Sequence, residues 1–114
     1  MSMSTAKARA LAMTFPEAVE EPHFHKASFR VAKKIFATMD EADGHMVVKL
    51  TPDQQAMMTE VRPDLYQTVP GAWGRQGSTF VRLAAADAAT LRHALAMSYR
   101  NVAPKKLAAL VAER

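Results

Sequence analysis

The sequence predicts an α+β domain: an antiparallel sheet with helices packed on one face. Two observations carry the prediction. Segments that alternate apolar and polar residues cluster between residues 28 and 83, instead of alternating one for one with helical segments as a parallel sheet requires. The segments with helical spacing lie mainly at the two ends, over 4–15 and 87–111, with one more between the strands. The chain has 114 residues, which suits one domain, spanning 1–114, with a single modest core.

The elements follow in order. Ser4 is placed to cap a first helix whose Ala8, Leu11, Ala12 and Phe15 recur at i, i+3, i+4 and i+7, and Pro16 ends it. Glu17 to Pro22 is acidic and bordered by prolines, so a solvated loop is expected. In Ser28-Phe29-Arg30-Val31, Phe29 and Val31 point one way and Ser28 and Arg30 the other. A turn at Lys33-Lys34 leads to a second strand, with Ile35, Ala37 and Met39 alternating with Phe36 and Thr38. The polar stretch Asp40 to Gly44 precedes a third, with Met46, Val48 and Leu50 against Val47 and Lys49. Short turns make this a three-stranded antiparallel meander with one buried face.

Thr51-Pro52-Asp53-Gln54 holds an N-cap, a proline for the first helical position and a capping-box glutamine. The helix should run to about Val61, stopped by Pro63. Strands are expected at Leu65 to Val69 and at Thr79 to Leu83. Asp87 caps a helix whose buried stripe is Leu91, Ala94, Leu95, Ser98 and Val102; Asn101 to Ala103 breaks it. Pro104 opens a last helix packed through Leu107, Leu110 and Val111. The expected order is α-βββ-α-ββ-αα.

Composition narrows the function classes. At 49% hydrophobic and 23% charged the chain is of ordinary globular type. No apolar run reaches the roughly 18 to 20 residues that cross a bilayer, and the first fifteen residues lack the apolar core of a secretory signal. Without cysteine there is no disulfide, thiolate nucleophile or cysteine-based metal site. A cytoplasmic protein is expected. The charge is uneven: residues 65–114 carry Arg75, Arg82, Arg92, Arg100, Lys105, Lys106 and Arg114 against only Asp87 and Glu113, whereas the first 64 residues are nearly balanced. A basic half points to an anionic partner, nucleic acid first, or to a basic surface that keeps the protein soluble.

Three groups of residues are candidates for contact. The stretch Pro70 to Thr79 holds three of the four glycines and the only tryptophan, reading as a shaped loop that carries Trp73 and Arg75. Trp73 either folds back on the core or meets a ligand. On the sheet, if Phe29, Val31, Val48, Val81 and Leu83 face the helices, then Arg30, Lys49 and Arg82 face water, with Phe36 and Phe80 able to lie among them; cations interleaved with rings suit phosphate contact and base stacking. Lys105 and Lys106 fall in a helix first turn, where positive charge is disfavoured by the dipole and where free N–H groups can hold a phosphate.

Other patterns carry less. His23-x-His25 supplies two histidines with no third ligand at metal spacing, and His45 and His93 are not paired with a nucleophile. Gly71-x-x-Gly74-x-x-Gly77 is neither the dinucleotide fingerprint nor a Walker motif. No base, nucleophile and orienting group occur together, so neither catalysis nor a cofactor is expected.

In sequence, Pro22-His23-Phe24, Phe29-Arg30-Val31, Lys34-Ile35-Phe36-Ala37, Val48-Lys49-Leu50, Val69-Pro70-Gly71 and Val102-Ala103-Pro104-Lys105 resemble the MmcQ/YjbR family of small bacterial proteins, over residues 5 to 111. The resemblance implies an antiparallel α+β fold compared with double-wing and CyaY-like domains. It also implies DNA binding, a label resting largely on that fold analogy. Many members carry an Asn-Lys-Arg-His-Trp-like run after the Pro-Gly turn; here Trp73-Gly74-Arg75-Gln76-Gly77-Ser78 is closer to a Gly-Arg-Gln-Gly branch, with Ser78 where that branch often has an aromatic ring.

The expectation is therefore a non-enzymatic, monomeric protein that binds double-stranded DNA through Arg30, Lys49, Trp73, Arg75, Arg82, Lys105 and Lys106, mostly by phosphate contacts. The alternative is a module for a small anionic ligand or a protein partner at the 70–79 loop, with Trp73, Arg75 and Lys105 converging on a concave site.

Overall fold

The computed structural model describes residues 3–111. Six strands form one antiparallel sheet: β1 (Val19–His23), β2 (Lys26–Val31), β3 (Lys34–Asp40), β4 (His45–Lys49), β5 (Tyr66–Thr68) and β6 (Ser78–Arg82), in the spatial order β1-β2-β3-β4-β6-β5. The helices are α1 (Thr5–Ala12), α2 (Pro52–Val61), α3 (Ala72–Arg75), α4 (Ala88–Val102) and α5 (Lys105–Ala108), with a 3₁₀ turn over Leu83–Ala85. The class is α+β, as the clustering of strands requires, with the helices packed on one face of the sheet.

The expected caps form. Ser4 Oγ accepts the Lys7 amide at 3.1 Å. Thr51 and Gln54 close a capping box at the start of α2, and Asp87 and Thr90 close another at α4. The buried sheet face also lies where alternation puts it: Phe29, Val31, Val48, Val81 and Leu83 are all buried. On α4 the stripe Leu91, Ala94, Leu95 and Ser98 is buried and Val102 half-buried. This long helix lies across β3 and β4. Tyr99 completes the layer, its hydroxyl donating to Pro16 O at 2.6 Å.

Four expectations are overturned. The acidic stretch at 17–22 is no loop: Val19 to His23 pair with Arg30 to Lys26 as the edge strand β1. An edge strand has one unpaired side, so Pro22 costs no ladder bond there, and Glu20 and Glu21 keep other chains from adding to it. Because the strand is exposed on both faces for most of its length, it carries no apolar alternation to read.

The second correction is a β-bulge. Phe29 pairs with Ala37 but Arg30 with Ile35, leaving Phe36 as the extra residue. The bulge turns Phe36 away from the open face and buries it fully, with ring centroids 6.0 Å from Phe15 and 5.3 Å from Tyr99. Third, the 70–79 stretch is not loop throughout, since Ala72–Arg75 makes one helical turn. Fourth, α5 is a single turn that ends at Ala108, so Leu110 leaves helical phase and is 68% exposed, while Leu107 and Val111 do pack. Four residues build almost no macrodipole, which removes the electrostatic argument for a phosphate corner at Lys105 and Lys106.

The β2–β3 turn holds Ala32 and Lys33 at φ 50° and 70°. Two positive φ values in a two-residue hairpin match the sheet's twist, but Asn-Gly is the usual occupant. Residues with a β-carbon pay roughly 1 kcal/mol each for the left-handed region.

Candidate nucleic-acid interface

The face of the sheet opposite the helices is the surface on which cations and rings meet. In β4, Met46 and Val48 point into the core, so His45, Val47 and Lys49 point outward. Across the ladder His45 stands opposite Arg82, Val47 opposite Phe80, and Lys49 opposite Ser78. Phe80 and His45 stack with ring centroids 4.9 Å apart. At the other end of β4, Lys49 Nζ lies 5.2 Å from the centroid of the Trp73 ring, within cation–π range. Trp73 is 64% exposed, so of its two open readings the ring takes the solvent side. Arg82 is exposed and its guanidinium donates to Gln67 Oε1 at 3.2 Å. Arg30 is half-buried two strands away; its Nε donates to Ser28 Oγ at 3.0 Å and lies 3.8 Å from Glu21.

Lys49 is held by α4. The bulge ends the β3–β4 ladder at Ala37 and Val48, leaving the Phe36 carbonyl and the Lys49 amide without strand partners between these two strands. Ser98, fully buried on α4, fills the gap: its hydroxyl donates to Phe36 O and accepts from Lys49 N at 2.7 Å. Asn101, one turn on, donates from Nδ2 to Lys49 O at 2.9 Å and to Gln54 Oε1 at 2.7 Å. Gln54 is the capping-box partner of Thr51, so one network fixes the end of β4 and the start of α2.

Trp73 is positioned by backbone fit. Gly71 has φ +85° and opens the turn of α3. A β-carbon on Gly74 would stand 1.6 Å from Val69 O, and one on Gly77 would stand 1.8 Å from Leu50 O. These glycines let the segment lie directly on its neighbours. From α2, Gln55 Nε2 donates to Gly74 O at 2.9 Å and Ser78 O at 3.0 Å, tying the helix to the segment. Ser78 itself is buried.

The YjbR family model matches residues 13–101, from just after α1 to the last turn of α4. The chain belongs to the YjbR family. Among solved structures, Deinococcus radiodurans protein DR2400, which carries the family-model domain DUF419, superposes with a TM-score of 0.74 at 17% identity. The match covers 88% of this chain and 78% of that one, and at this identity the likeness concerns the fold. No curated protein matches the chain. The family assignment accounts for the sheet and the helix layer; the interface above is read from this member's own residues.

On this YjbR scaffold the seven expected contact residues do not form one cluster. Lys49 and Trp73 touch, and Arg82 shares their face toward the far end of the neighbouring strand. Arg75 is exposed on the turn of α3. Lys105 and Lys106 are exposed beyond the helix layer, where Lys105 lines a shallow recess with Gln54, Met97, Arg100 and Asn101 that includes neither Trp73 nor Arg75. His23 packs edge-on against Phe24, and His25 Nε2 lies 3.2 Å from Asp40.

A larger concavity, of about 500 Å³, opens elsewhere, between α2, β5 and α4. Arg62 at its edge is paired with Asp64 at 2.9 Å, which holds that carboxyl below its usual range. Burial pushes the Tyr66 phenol above its ordinary value. Sequence reasoning missed this cleft. Its one legible sign was the run Ala89, Arg92, His93, Ala96 and Arg100 beside the buried stripe of a predicted helix.

Proposed function

We propose that this protein binds DNA through the open face of its sheet, acting without catalysis, as a monomer, in the bacterial cytoplasm. The observation that carries the reading is the shared outward face of Lys49 over Trp73, Phe80 on His45, and Arg82. Cations there would hold phosphates, which bind any sequence. The exposed Trp73 ring, with the half-buried Phe80 beside it on the face, offers stacking worth about 1–3 kcal/mol per unpaired base. Phosphate contact serves a duplex equally, while the rings give single strands an added handle. Among the described residues no helix is long and apolar enough to cross a membrane, in keeping with a partner met in solution.

The test is DNA binding, duplex and single-stranded, at two salt concentrations for wild type, Lys49→Ala, Arg82→Ala, Arg75→Ala and Lys105→Ala. Wild-type affinity should fall steeply with salt, by a log–log slope of about 0.9 per phosphate contacted on a duplex. Lys49→Ala and Arg82→Ala should each reduce that slope by about 1, and single strands should bind at least as tightly as duplex. Affinity indifferent to salt would sink the reading. Equal binding by all five proteins would remove the site even if DNA binding survived.

A further inference from the structure

The cleft between α2, β5 and α4 lies on the helix side of the sheet, away from the face just described. Its existence is a packing anomaly. The ten-residue α2 buries none of its side chains fully, because it rests on β5 and barely meets α4. On α4 the facing positions Ala89 and Ala96 are too small to bridge the space. The resulting volume of about 500 Å³ falls within the range of small-molecule sites. Its floor is apolar, from Met58, Leu65, Ala96 and Met97, and the two methionines can reshape around varied occupants.

Charge selects among occupants. Among the described residues the lining side chains include Arg62, Arg92, His93 and Arg100 and no carboxylate. Arg62 is engaged with Asp64. Arg92 is exposed and lines the cleft; its guanidinium rests 5.2 Å from the ring centroid of Phe15, just outside the lining, from where it can turn to meet an occupant. An apolar floor beneath a cationic rim matches a molecule that is apolar over most of its length and anionic at one end. A neutral hydrophobe would leave the rim unused, and a small polar anion would leave the floor wet.

We propose that this cleft binds a small amphipathic carboxylate, its apolar body on Met58, Leu65, Ala96 and Met97 and its carboxylate against Arg92. The inference is independent of DNA binding.

The probe is octanoate, with 1-octanol as its neutral match, followed by the methyl NMR signals of the methionines. Octanoate should shift the Met58 and Met97 methyls and saturate at one per chain, with 1-octanol at least tenfold weaker. Arg92→Gln should weaken octanoate about tenfold and leave 1-octanol unchanged, while Arg92→Lys should recover most of the loss. Ala96→Met, which fills the floor, should abolish both. Absent shifts at Met58 and Met97, equal affinity for the two probes, or octanoate binding indifferent to Arg92→Gln would each overturn the proposal.

Discussion

Ser98 shows how much one side chain can decide. It is fully buried, yet it serves both a β3 carbonyl and a β4 amide at the point where the bulge parts the two strands. Removing the hydroxyl strands two buried polar groups, each costing about 1–3 kcal/mol. Ser98→Ala should therefore lower stability by about 2–4 kcal/mol in urea denaturation, well above the cost of trimming an ordinary surface serine. A loss under 1 kcal/mol would mean that water or a backbone shift replaces it. The outward placement of Arg30, Lys49 and Arg82 was legible because strand alternation is strict on either side of the bulge. Phe36 was not legible: a bulge changes which face a residue takes without changing the residues around it. The bonds from Ser98 and Asn101 to Lys49 were hidden for another reason, since they span 49 and 52 residues of chain.

Elements were legible in proportion to their amphipathicity. The capping boxes of α2 and α4 carry their signal in adjacent residues, and each forms as read. The edge strand β1 has no buried face to reveal it, and its proline and glutamates imitate a loop while suiting an edge. The short turn α3 depends on fit. Gly77 has φ +116°, and its missing β-carbon is what lets Leu50 O lie against it. Gly77→Ala must displace the backbone between α3 and β6, and a substitution strained in both φ and space should cost more than 2 kcal/mol. Its melting temperature, set beside that of an Ala72→Gly control at an exposed position, is the measurement; equal values would show the segment to be loosely held.

At the scale of the molecule the sheet is a partition. Its helix layer covers one side and leaves the side chains of Lys49, Phe80 and Arg82 on the other, where Trp73, carried by the short turn α3, meets Lys49. The one-sided architecture was legible from the clustering of strands. The cleft was not, because nothing local in α2 shows that the helix stands off from α4. The basic half noted in the sequence also divides between the two sides, Arg82 going to the open face and Arg92 and Arg100 to the cleft. This partition divides the chromophores too. The single tryptophan stands on the open side, while Tyr66 lines the cleft and Tyr99 lies sealed against Phe15. The unlabelled protein thus carries one optical reporter for each face. DNA should quench Trp73 emission and leave the near-ultraviolet tyrosine band unmoved, and octanoate should do the reverse. A titration that moved both signals together would place the two ligands on the same side of the sheet.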